Sequence, residues 1–175
     1  MHALRSDRIH VATRDLVVSG VSVAGVGVLA HAVSWVLLAG AVGPTAYVFA
    51  AHPSTETARL SNALLGHATA IAVALATLGS FGLWHAQIRV TQHPDAAHVA
   101  SAAIAVGVTV FVLDVARRHH APAAATAVLV ASALIPPGRP VLELAAALVA
   151  VSVIGATVAR VVDRTAPVPA SQGRM

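Results

Sequence analysis

The chain contains no cysteine, which excludes disulfides, thiolate nucleophiles and cysteine-based metal sites. Charge is scarce: Asp, Glu, Lys and Arg make up 10% of the 175 residues, against about 25% in a soluble domain. So few charges cannot cover a water-facing surface. Aromatic residues are 3%, which leaves no stacking platform for nucleic-acid bases. The isoelectric point of about 11.4 and net charge of +4 therefore do not imply a nucleic-acid partner. The arginines flank apolar runs, where they signal membrane topology. There is no nucleophile elbow, phosphate loop or carboxylate pair, so no catalytic residue and no cofactor are expected. The histidines lack a three-ligand spacing with a clustered carboxylate, so no metal site is expected either.

Hydrophobic residues fill 57% of the chain. Four stretches reach the ~20 residues that cross a bilayer core of about 30 Å: Leu16–Leu38, Ser61–Trp84, Ala97–Val115 and Pro140–Val162. Arg5, Arg8 and Arg14 precede the first, which is too long for the apolar region of a signal peptide and reads as a retained helix. Two stretches are apolar but short, Ala41–Ala51 and Ala121–Ile135. Each opens near a proline, Pro44 and Pro122, at a position where the missing N–H costs little. The order is long, short, long, repeated once. Residues 1–15 read as a cytoplasmic N-terminal segment, 16–164 as the transmembrane domain and 165–175 as a disordered tail.

If all six stretches cross, nine arginines fall on one side and only Arg89 and Arg139 on the other. This fits the positive-inside rule better than re-entrant short segments, which would strand Arg59, Arg117, Arg118 and Arg139 outside. Three helices per half make the halves inverted relative to each other, as in many secondary transporters. The expected fold is thus an all-α, multi-pass protein of the plasma (inner) membrane, embedded in the lipid bilayer, with both termini cytoplasmic. Gly20, Gly25 and Gly27, and Ala68, Ala70, Ala72, Ala74 and Ala76, suit close helix packing.

A helix that starts within the membrane leaves its first N–H groups unpaired and carries partial positive charge there. Two such starts, one per half, could meet near the midplane and hold a small inorganic anion. Gly43, Pro44 and Thr45 are the candidates in the first half, and His120, Pro122 and Thr126 in the second. The Thr45 and Thr126 hydroxyls can donate to a ligand or bond back to the preceding turn. Of ten histidines, His31 and His67 lie inside long stretches, where ionisable groups are functional candidates. His31 is expected to bond a backbone carbonyl. Asp114 is expected to pair with Arg117 and Arg118 at helical spacing.

The segment HAPAAAT (His120–Thr126) resembles the H-P-P-A-G-A-T signature of the HPP family of integral membrane proteins. GPTAYVFAAHPSTETARLSNALLGH (Gly43–His67) resembles that family's other block, with Asn62, Gly66 and His67 matching its ending. The resemblance runs from about Leu16 to Arg164. Ala121 stands at the first signature proline, Ala124 at the signature glycine, and Gly43-Pro44 at an earlier G-A pair, which marks a divergent member. The resemblance implies a small protein of four or more spanning helices, and plastid and cyanobacterial members are associated with nitrite transport. It carries over Gly43, Asn62, Gly66, His67, His120, Pro122 and Thr126 as site residues. The expected function is passage of a small inorganic anion, nitrite first, with a non-transporting membrane subunit packed on a partner protein as the alternative. Two small halves leave little wall around a pathway, so a homo-oligomer is a further expectation.

Overall fold

The computed structural model describes residues 2–33, 40–87 and 93–165, with side chains from residue 8 to residue 164. Among them every regular element is helical: α1 (His2–Ala32), α2 (Val42–Ala51), α3 (Leu60–Ser80), α4 (Ala96–Val115), α5 (Pro122–Ala131) and α6 (Arg139–Thr165), with one 3₁₀ turn at Glu56–Ala58. Four are long and apolar enough to span a bilayer, and α2 and α5 are the short pair. Leu16, Val28, Phe111, Val115 and Leu142 are exposed, an apolar exterior suited to lipid. The interior is built from small side chains, Ala46, Ala70, Ala74, Ala105, Ala123 and Ala127 among them, which lets backbones approach closely.

Helix ends have local causes. Asp95 caps α4, its carboxylate accepting from the His98 backbone N–H at 3.0 Å. That bond holds the Asp95 carboxyl below the usual carboxylate range, with the His98 ring adding to the effect. α3, α4 and α5 each stop in a turn whose C-terminal residue is left-handed: Gly82 (φ 68°), Arg117 (φ 52°) and Ala133 (φ 56°). In each, the backbone N–H one or two residues further on reaches back to a carbonyl five or six residues earlier: Leu83 to Leu78, Arg118 to Leu113, Ile135 to Leu129. This satisfies carbonyls the helix leaves open.

Three expectations are corrected. α1 does not begin at Leu16 but at His2. Arg14 is tolerated inside it because its guanidinium grips Asp163 of α6 through two bonds, Nε–Oδ1 2.7 Å and Nη2–Oδ2 3.1 Å. α1 ends at Ala32, and the expected continuation over residues 34–38 lies outside the described residues, as does the tail from 166 to 175. α5 stops at Ala131 rather than Ile135, because Ala133 adopts the left-handed conformation. Asp114 does not pair with Arg117 or Arg118. The turn at Arg117 takes both off the helical face, and Asp114 meets His119 at 3.1 Å instead.

Arg14 also donates to the Ala50 carbonyl at the end of α2. Arg59, at the start of α3, shares a cavity with Arg160 and Asp163 of α6. Arg14 of α1, the start of α3 and the ends of α2 and α6 therefore share one end of the bundle. Thr57 and Asp114 line another cavity, which adds the end of α4. Arg14 and Arg59 thus lie at the same end of the bundle.

α3 is central, packed against α4, α5 and α6. α1 packs on α2 and α6, α2 on α6, α4 on α5, and α2 touches α5 lightly. Exchanging α1 with α4, α2 with α5 and α3 with α6 leaves this set of principal pairs unchanged. Thr45 of α2 meets His67 while Phe49 packs with Ala63, so α2 runs antiparallel to α3. His120 sits on Gly66 while Ala133 packs with Leu78, so α5 runs parallel to α3. The two short helices thus run in opposite directions, and Thr45 near the start of α2 and Thr126 in the second turn of α5 meet at His67.

Candidate functional site

His67 is the eighth residue of α3, about 10 Å along its axis at 1.5 Å per residue. Its ring is held from three directions. Thr126 Oγ1 of α5 lies 2.9 Å from Nδ1, Thr45 Oγ1 of α2 lies 3.1 Å from Nε2, and His120 Nε2 lies 3.1 Å from the same Nε2. The imidazoles meet edge to face, with centroids 4.7 Å apart at 78°. All four side chains are buried, Thr45 and Thr126 completely and both histidines at 3% exposure.

The partners fix the direction of every hydrogen bond. His120 Nδ1 lies 2.9 Å from the Thr57 carbonyl. A carbonyl only accepts, so Nδ1 carries the hydrogen, and in the neutral ring Nε2 accepts. His67 Nε2 therefore donates toward His120 Nε2 and Thr45 Oγ1. The Thr45 hydroxyl hydrogen is spent on the Ala41 carbonyl at 2.7 Å, which leaves its oxygen as acceptor. His67 Nδ1 then accepts, and Thr126 donates. One directed chain runs from the Thr126 hydroxyl through His67 and His120 to the Thr57 carbonyl. Buried helix hydroxyls such as Ser22 and Ser152 bond back to the carbonyl four residues earlier. Thr45 does both; Thr126 serves the histidine alone.

Of the residues expected at the site, the structure brings together Thr45, His67, His120 and Thr126, with Gly66 and Asn62 beside them. A Cβ on Gly66 would lie 2.8 Å from the His120 Cβ, so glycine is what lets the His120 backbone approach α3. Asn62 contacts no imidazole. Its amide donates to the Glu56 carbonyl at 3.0 Å and its oxygen accepts from Arg118 Nη1 at 3.2 Å, which ties the 56–58 turn to the α4–α5 linker on which His120 sits. Gly43 falls outside the cluster: it is exposed, and a Cβ there would meet nothing within 4 Å. Pro44 and Pro122 line a separate groove of about 450 Å³ with Tyr47, His52, Thr57 and Ala121. Proline has no N–H and no polar side chain to offer the cluster.

Two cavities flank the cluster, with Thr57 and Ala121 lining both. The proline groove lies on the α2 side. On the α4 side a cavity of about 320 Å³ is lined by His120, His119, Asp114, Thr57 and Thr109. The Thr57 carbonyl, the Arg118–Asn62 bond and Thr109 carry no sequence signal that would have singled them out. Thr109 Oγ1 is buried and has no hydrogen-bond partner among the described residues. Of the histidines set aside, His31 is exposed on α1 and bonds no carbonyl among the described residues. Among the described residues no three His, Asp or Glu side chains converge in a metal-binding arrangement.

No curated protein and no solved structure matches the chain. One family model does, over residues 5–170, and its description is HPP, transmembrane region.

Proposed function

Because the chain belongs to the HPP transmembrane family, we propose that it moves a small inorganic anion, nitrite first, across the plasma membrane, and that it is a transporter rather than an enzyme. The observation that carries this reading is the His67 ring, held between a threonine on each short helix. Polar side chains deep in a bundle are expensive and mark substrate pathways. Short helices that open inside the bundle and bring polar groups to one point are the usual frame of a transport site. The exchange relation among packing pairs supports two inverted halves, α1–α3 and α4–α6. The cluster of Arg14, Arg59, Arg118 and Arg160 at one end supports a cytoplasmic face there and cytoplasmic termini.

In this conformation the four side chains satisfy one another and are closed off. That same closure favours the second reading, a packing subunit without transport. In the transport reading it is an occluded conformation, and an anion binds by taking over hydrogen bonds the cluster now makes internally. Binding to the folded form raises the melting temperature. We expect millimolar nitrite to raise it for the detergent-solubilised protein and not for His67→Ala. If nitrite, nitrate, formate and chloride all leave the wild-type melting temperature unmoved, the packing-subunit reading takes its place.

A further inference from the structure

The two Nε2 atoms of His67 and His120 face each other at 3.1 Å. That gap holds one hydrogen. If both rings carried a second proton, two N–H groups would point into it. The Thr57 carbonyl fixes a hydrogen on His120 Nδ1, so the position open to an added proton is His67 Nδ1, opposite Thr126 Oγ1 at 2.9 Å. Protonation there reverses that bond: His67 donates and Thr126 accepts. The Thr126 hydroxyl hydrogen is then released from His67, beside a newly positive ring, and can turn to a ligand. A neutral cluster offers an anion neither free donor nor charge; a singly protonated one offers both.

We propose that the His67–His120 pair takes up a single proton together with each anion, so that proton and anion move as a neutral unit. This deepens the anion-transport reading and rests on it. Other titratable and charged groups stand further off. On the α4 side, Asp114 and His119 line the cavity that borders His120, both more than half exposed. From the linker and the 56–58 turn, Arg118 reaches Asn62 rather than a histidine, and Glu56 lies 3.7 Å from Arg59. On α2, His52 and Tyr47 line the proline groove. α5 brings only Thr126, and the α6 charges Arg160 and Asp163 line a different cavity.

The test is ¹⁵N NMR of histidine-labelled protein in lipid nanodiscs, titrated between pH 8 and pH 4 with and without sodium nitrite, with His67→Gln and His120→Gln assigning the signals. The inference predicts that the pair gains one proton in total, that its midpoint moves to higher pH when nitrite is added, and that Thr126→Val abolishes this movement. Two imidazolium rings appearing together, or a midpoint indifferent to nitrite, would overturn it. Failure of nitrite uptake in liposomes is a separate result. It removes the transport reading, while the proton count of the pair is still read by NMR.

Discussion

Gly66 lies so close under His120 that a Cβ at position 66 would sit 2.8 Å from the His120 Cβ. No flexible side-chain end can yield there; the backbone of the α4–α5 linker has to move. The same linker carries the ring that faces His67. Gly66→Ala is therefore expected to cost about 1–3 kcal/mol by overpacking and to separate the two imidazoles. Thermal unfolding followed by tryptophan fluorescence measures the first effect. An alanine variant as stable as the wild type would mean that the approach is looser than described.

The direction of the hydrogen bonds yields an ordering. Thr126→Val leaves His67 Nδ1 buried without a donor, a loss of about 1–3 kcal/mol. Thr45→Val removes only one of two acceptors open to His67 Nε2, since His120 remains. The Ala41 carbonyl also keeps its bond from the Thr45 backbone N–H. Stability measured side by side should fall further for Thr126→Val. The reverse order would contradict the assigned tautomers.

Small residues divide by what they touch. A Cβ on Gly155 would lie 3.1 Å from Phe49 Cβ and Cδ2, whereas one on Gly27 meets nothing within 4 Å. Gly155→Ala is expected to lower the melting temperature, and Gly27→Ala to leave it level or raise it, because alanine favours a helix by up to about 1 kcal/mol over glycine. Equal responses would mean that the α2–α6 contact is not close.

Asp95 supplies a pH signature outside the spans. Its folded carboxyl is held below the ordinary range, first by the His98 backbone N–H. A depressed acid stabilises the fold above its unfolded value of about 3.9, and that contribution disappears as pH falls through the lower folded value. Asp95→Ala should therefore lower the melting temperature at pH 7, and the gap to wild type should close as pH drops below about 4. A gap that persists unchanged into acid would show that the carboxylate is not what caps α4.

Much of the fold was legible because it rests on length and apolarity. Four long and two short helices follow from run length alone. Pro122 placed the start of α5 to the residue. Residues matched to the family blocks included His67, His120 and Thr126, three of the four that converge. Thr45 came from the argument about helix starts. What the sequence hid is set by tertiary geometry. Arg14 looked like a membrane boundary because its partner Asp163 is 149 positions away. Gly43 and the two prolines looked like ligand-facing residues, since their backbone role in opening a helix is read as readily as a binding role. The Thr57 carbonyl, which sets the tautomer of His120, belongs to no motif, as any residue could supply it.

The most direct measurement is nitrite uptake into liposomes holding the purified protein, at a pH above 7 where nitrite is ionised, comparing wild type, His67→Ala and empty vesicles. The transport reading predicts uptake by the wild type well above empty liposomes, faster when the lumen is made alkaline, with His67→Ala reduced to background although still folded. Wild-type vesicles that match empty ones for nitrite, nitrate and formate would contradict it, and so would a His67→Ala protein that transports as well as the wild type.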